Sequence, residues 1–368
     1  IEVETYGGGE IRNSGDVHAQ GGDTTATAGN GGSGNELYVY TAEDDNLYLD
    51  HPAGDIHWSG EIDLSGGDAV ATGTGNGGSA GNVYAEIYGD GVNATSELAF
   101  VGYGAVHTYG GDGNQGGQAD GYFLYNYDSD VSGDEEDAPA PGGSVISEAD
   151  VVAHGGNARA GGADANGNGG RGGSIYLETD YYETAQAVPD SQMTKQTGDV
   201  NISGGNGRNQ TGYNNYSGYT WFWGYNGSAV TGNVTMNGGD DLGATTGAVG
   251  YGGYSNDFYV WSELGDAKVS GNVAMNGGDG NYRGGYSNGA YIYGNTVHVS
   301  GKLDANGGNA RVAEAGSVGG DGGYLELRAI HPQDSSASGA ATYAGGTGAT
   351  AGDEGAIVRL IACSGADC

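Results

Sequence analysis

A pair of glycines, nearly always followed by Asp or Asn, closes a short alternating segment again and again along this chain. The pair starts at Gly21, Gly66, Gly110, Gly155, Gly204, Gly238, Gly277, Gly307 and Gly345. The interval is never shorter than 307 − 277 = 30 residues nor longer than 204 − 155 = 49, so one unit recurs with insertions of variable length. Self-similarity on this scale belongs to repeat architectures, in which a unit cannot bury its apolar face alone and the stack does it. Two units show the pattern: Gly15-Asp16-Val17-His18-Ala19-Gln20-Gly21-Gly22 and Gly301-Lys302-Leu303-Asp304-Ala305-Asn306-Gly307-Gly308. Alternation with period two marks a strand with one buried and one wet face. Aligning the units gives one apolar column of Val17, Ile62, Val106, Val151, Val200, Val234, Val273 and Leu303. A second runs through Ala19, Leu64, Thr108, Ala153, Ile202, Met236, Met275 and Ala305.

After each pair comes a loop rich in Gly, Asn and Asp and then a second strand, as at Leu37-Tyr38-Val39 and Ile175-Tyr176-Leu177. A third is visible in some units, at Asn46-Leu47-Tyr48-Leu49 and Thr296-Val297-His298-Val299. The chain carries 81 glycines in 368 residues, and each would weaken a helix interior by about 1 kcal/mol relative to Ala. The expectation is an all-β, single-domain parallel β-helix of about nine irregular coils over residues 1–368. It has inserted loops near 126–143 and 180–197 and a cysteine-containing tail at 363–368. A right-handed winding follows from the general preference of parallel crossovers. A propeller needs four antiparallel strands per blade, which the shortest unit cannot hold. Gly277-Gly278-Asp279-Gly280-Asn281 opens like a calcium-binding repeat roll but lacks the Asp and apolar residue that should follow.

Arg171-Gly172-Gly173-Ser174-Ile175-Tyr176-Leu177 and Lys302-Leu303-Asp304-Ala305-Asn306-Gly307-Gly308-Asn309 carry the pattern most clearly. In them the chain resembles the glycine-rich β-solenoid proteins of bacterial surfaces, adhesins among them. The resemblance spans essentially the whole sequence and implies an architecture. Proteins of this look include adhesins, fibres and polysaccharide-degrading enzymes, so function is argued from sites.

Equivalent residues of adjacent coils lie about 4.8 Å apart, so any repeated residue becomes a ladder. The outward position of the second strand reads Tyr38, Tyr84, Phe123, Tyr176, Phe222, Tyr259, Tyr291 and then Glu326. Tyr40, Tyr88, Tyr125, Trp223, Trp261 and Tyr293 extend it two residues on. Such a strip is either a self-stabilising ladder or a contact face for a glycan chain or a neighbouring subunit. Asn237, Asn276 and Asn306, each before its glycine pair, form an amide ladder. The position after the pair reads Asp23, Asp68, Asp112, Asn157, Asn206, Asp240, Asp279 and Asn309. Stacked acids require outward splay, a bound cation or capping of backbone N–H groups, and capping fits the glycine turns best.

The formal net charge is −36, from 11 basic and 47 acidic residues, which excludes nucleic acid and anionic membranes as partners. No apolar run approaches the roughly 20 residues of a bilayer span. A chain opening at Ile1 without Met reads as an exported product whose signal peptide has been removed, placed outside the cell or on its surface. There Cys363 and Cys368 form a disulfide, within the tail or between subunits. Sequons stand at Asn93, Asn201, Asn209, Asn215, Asn226 and Asn233.

Asp128, Asp130, Ser132 and Asp134 open like a calcium loop, although Pro139 takes the place of its closing carboxylate. Beyond that candidate calcium no cofactor is expected. No catalytic triad, phosphate loop or carboxylate pair emerges, so an enzyme is not expected. Neither end resembles a cap: Ile1 and Val3 open a strand, and Ile357, Val358, Leu360 and Ile361 close in the most apolar one. Two different sticky ends make a heterologous contact that propagates. The expected function is a secreted structural protein that assembles head to tail, a homo-oligomeric filament or surface layer. The alternative is a carbohydrate-binding adhesin, or a polysaccharide-processing β-helix enzyme, that uses the aromatic ladder.

Overall fold

The computed structural model describes residues 1–42, 53–89, 97–101, 104–128, 143–159, 167–179, 192–210, 212–243, 250–312 and 315–362. They form a parallel β-solenoid of three sheets. The first wall has ten strands, from Glu2–Tyr6 to Ile357–Ala362. A second has nine, from Ile11–Asn13 to Ser336–Ala337, and the third nine, from Val17–His18 to Ala341–Thr342. Within each wall, neighbours in space are three strands apart in sequence, so the chain visits every wall once per coil. A single 3-10 turn, Pro332–Asp334, is the only helical segment among the described residues. No helix there is long and apolar enough to cross a membrane.

The third wall is the segment that defines the repeat. Val151 pairs with Val200, Val200 with Val234, and Val273 with Leu303, as the aligned units require. Both apolar columns point inward and are buried from Ile62 and Leu64 onward, while Val17 and Ala19 in the first coil pack partly against the core. The second wall closes the core with Ile56, Leu98, Val145, Ala267 and Val297 in one column. Thr194 and Ser228 interrupt that column, and they satisfy each other with a 2.9 Å hydrogen bond while Ser228 also donates to the Phe222 carbonyl. Buried hydroxyls are tolerated when paired in this way.

Glycine is used mainly for close approach. Gly67 N–H donates to Gly32 O at 2.9 Å, Gly78 to Gly67 at 2.9 Å, Gly111 to Gly78 at 2.9 Å and Gly117 to Gly111 at 2.8 Å. The same alternation carries on from Gly239 through Gly253, Gly278, Gly285, Gly308, Gly320 and Gly346 to Gly352. The glycine pair at the end of each loop is thus threaded between the repeat-defining pairs of successive coils, backbone against backbone. A Cβ on Gly78 would lie 1.9 Å from Gly32 O, so no side chain fits there. What reads in the sequence as a loose glycine-rich loop is a hydrogen-bonded layer of the fold.

The ladders behind this layer cap backbone. Asp68 N–H donates to Asp23 Oδ1 at 2.7 Å, Asp112 N–H to Asp68 Oδ1 at 2.8 Å, Asn157 N–H to Asp112 Oδ1 at 2.7 Å, and so on to Thr347 on Asn309. In Asp68, Asp112, Asp240 and Asp279 the second oxygen faces a cation supplied by the chain. Arg159 pairs with Asp68 and lies 3.9 Å from Asp112, and four coils on Arg311 repeats the arrangement on Asp240 (3.0 Å) and Asp279 (3.9 Å). The amide ladder forms as expected, with Asn276 donating to Asn237 at 3.1 Å and Asn306 to Asn276 at 2.9 Å.

Candidate functional site: the aromatic wall

The outer face of the ten-stranded wall gathers most of the outward rings. Its register aligns Tyr38, Tyr84, Phe123, Tyr176, Trp221, Tyr259, Tyr291 and Glu326 in one column. Seven of the eight sites are aromatic, as the sequence indicates, but one residue assignment is corrected. Phe222 is 1% exposed and packs inside between Leu177 and Val260, while Trp221 takes the ladder site. In Thr220-Trp221-Phe222-Trp223 alternation cannot choose the face, and the small Thr220 goes inward together with Phe222. The next outward column reads Tyr40, Glu86, Tyr125, Glu178, Trp223, Trp261, Tyr293 and Arg328. Glu86 and Glu178 therefore interleave with rings, and Tyr88 belongs one step further along its strand, opposite Ala42.

The rings contact one another along the wall, some stacked and others tilted or edge-on. Tyr38 and Tyr84 have centroids 5.2 Å apart at 19°, and Tyr259 and Tyr291 4.4 Å apart at 3°, close to the spacing of the coils. In these two pairs the planes lie across the solenoid axis, so faces are covered and edges and hydroxyls point to solvent. The columns open where carboxylates break them. Tyr176, Tyr219, Trp221, Trp223 and Trp261, with Glu178 and Glu263, line a depression of about 450 Å³. A smaller polar cleft of about 220 Å³ lies alongside, between Asp120, Phe123, Arg171 and Tyr216. Arg171 is held there by Gln118 at 2.7 Å and the Tyr216 hydroxyl at 2.9 Å.

Burial and neighbouring acids shape the electrostatics. Burial, then the charge of Glu86, pushes the Tyr40 hydroxyl up to about 12. Burial, then Glu326, pushes Tyr293 up to about 12. Burial raises Glu86 above the usual carboxylate range, against a hydrogen bond from Tyr84 that lowers it. Asp120 and Asp257 are raised by burial as well. The face is aromatic and acidic at once, and Glu86, set among its rings, ionises reluctantly.

The remaining sequence candidates fall elsewhere. Asp128 ends a strand, while Asp130, Ser132 and Asp134 lie outside the described residues, as do Asn93, Cys363 and Cys368. Asn215 is fully buried and its amide donates to Gly239 O at 2.6 Å, and Asn209 is buried too, so neither can carry a glycan in the folded chain. Asn201 caps Ser203 N–H, Asn226 donates to Gln192, and Asn233 sits in a ladder on Asp199, its amide nitrogen already engaged. Val3 packs partly on the core, and Ile1 and Ile357 are exposed. Val358, Leu360 and Ile361 lie in the last strand of the aromatic wall.

A group the sequence pattern does not signal is Glu10, Asp55 and His57, whose ligand atoms fall within 4.8 Å of one another on the second wall. Arg12 already pairs with Glu10 and holds its carboxyl below the usual range, and Asp55 Oδ1 accepts the Glu97 N–H. A cation there would compete with Arg12. No family model, no curated protein and no solved structure matches the chain.

Proposed function

We propose that this is a non-catalytic binding solenoid of the cell exterior, which holds an elongated, neutral or amino-substituted polysaccharide along its aromatic wall. The observation that carries the reading is the register of that wall. Tyr hydroxyls, indoles and carboxylates repeat once per coil, at about 4.8 Å. A sugar unit of an extended chain is of similar length, so a glycan lying along the solenoid axis meets an equivalent set of donors and acceptors at every unit. The net charge of −36 and the interleaved Glu86 and Glu178 disfavour acidic glycans.

Co-sedimentation with insoluble chitosan, chitin and cellulose, against alginate gel as the anionic control, tests the proposal. Retention by the first group and not by alginate supports it. Equal retention on alginate, or none on any of the four, refutes the glycan reading, and release of reducing ends refutes the absence of catalysis.

Head-to-tail assembly is a second reading, favoured by the outer edge of Glu2–Tyr6, which among the described residues pairs on one side only. Sedimentation at increasing concentration tests it: mass growing with concentration supports assembly, and a constant monomer mass removes it.

A further inference from the structure

The aromatic wall contains one filled cation site of its own. Arg328 places its guanidinium 5.1 Å over the ring of Tyr293, and its Nε donates to Glu326 at 2.5 Å. Ring face, cation and carboxylate form a compact set in which the ring quadrupole and the carboxylate both favour the positive charge. The depression three coils earlier again sets rings beside carboxylates. Its described walls are the rings of Tyr176, Tyr219, Trp221, Trp223 and Trp261 and the carboxylates of Glu178 and Glu263, with neither Lys nor Arg among the described lining residues.

Geometry makes ring faces available there. In the register Trp223 has Glu178 on one side, where the ladder would otherwise continue with a ring. It stacks on no other ring among the described residues, unlike Trp221, which meets Tyr259 at 5.3 Å and Trp261 at 6.4 Å. The tilts of 46° and 41° turn these indoles out of the parallel stacking seen at Tyr259 and Tyr291. At about 450 Å³ the space exceeds what a methylated ammonium group occupies, and it is open to solvent-borne ligands.

We propose that this depression binds an alkylammonium group, methylated or primary, with the indoles of Trp221, Trp223 and Trp261 contacting it and Glu178 and Glu263 supplying the counter-charge. The site recognises the cationic group whatever molecule bears it, so it stands apart from the polysaccharide reading.

The chain is convenient for the test. Three of its four tryptophans line the depression, and the fourth, Trp58, is buried in the core. Tryptophan emission is titrated with tetramethylammonium and with choline, and in parallel with 3,3-dimethylbutan-1-ol, the uncharged isostere of choline. The expected result is saturable change with both cations and binding of the isostere about tenfold weaker or less. Glu178→Gln and Trp223→Ala, with circular dichroism showing the fold intact, each weaken choline by about fivefold or more. A neutral isostere that binds as well as choline, a response that does not saturate, or a Glu178→Gln/Glu263→Gln double variant that keeps full affinity overturns the site. n-Butylammonium and glucosamine distinguish the source of the cation. Failure of chitosan co-sedimentation with choline binding intact removes only the polymer reading.

Discussion

Replacing Gly285 by Ala tests the glycine layer at its centre. A Cβ added there would lie 1.8 Å from Gly253 O, 2.5 Å from Gly253 C and 3.0 Å from Gly252 O. An acceptable carbon–oxygen contact is about 3.3 Å, so the two backbones must separate by about 1.5 Å. That movement stretches two hydrogen bonds, Gly285 N–H to Gly278 O and Gly308 N–H to Gly285 O, both 2.8 Å. Leaving buried backbone groups unpaired costs about 1–3 kcal/mol each, so the substitution should destabilise the fold by about 2–6 kcal/mol. Conformational preference is not the cause, because the φ of Gly285 lies outside the left-handed region. Gly22→Ala is the matched control: an added Cβ meets nothing within 4 Å, and a change within about 0.5 kcal/mol is expected. Urea denaturation followed by circular dichroism reads both. Equal effects, or a Gly285→Ala variant as stable as the parent, would refute the claim that glycine serves close approach in this layer.

Three further outcomes follow from the walls. Phe222→Ser should destabilise by about 3–5 kcal/mol, as for a large aromatic removed from a core, while Trp221→Ser one residue away should cost under about 1 kcal/mol; a reversed order in urea denaturation would place the wrong residue inside. Arg159→Gln should cost about 1–3 kcal/mol by removing the bond that holds Asp68 and Asp112 together, and the same denaturation series checks it. The raised Tyr40 and Tyr293 hydroxyls favour the protonated form in the folded state. Their stabilising contribution is therefore complete below the unfolded tyrosine pKa of about 10 and is lost as pH rises through about 12. Absorbance at alkaline pH should show a late-titrating group of tyrosines released together with the loss of β-structure; titration of all tyrosines near pH 10 with the fold intact would contradict this.

Much of the architecture was legible because its signals are local. Val200, Ile202, Val234 and Met236 alternate with polar residues inside units punctuated by glycine pairs, and the period-two rule places them correctly. The site was legible only in part. In Tyr219-Thr220-Trp221-Phe222-Trp223 four of five residues are aromatic, and which face each takes is decided by room in the core beside Leu177 and Val260, which no local pattern encodes. Tyr88 was misaligned for a related reason: Val83–Gly89 runs seven residues, and counting by aromatic identity passes over Glu86, which occupies the aligned position. The clamps made by Arg159 and Arg311 reach back across two coils from loops of variable length. The glycine layer escaped because its hydrogen bonds join loops whose spacing in sequence differs from coil to coil, leaving only composition as the trace.

The central claim is that the aromatic wall is the working face and that it engages its ligand coil by coil. Calorimetric titration with chito-oligosaccharides of increasing length tests this most directly. The account predicts affinity that climbs with each added sugar over many units, as successive coils at about 4.8 Å are engaged, and that falls in a Trp221→Ser/Tyr259→Ser double variant. Affinity that levels off at the disaccharide, or that is unchanged in the double variant, would contradict it.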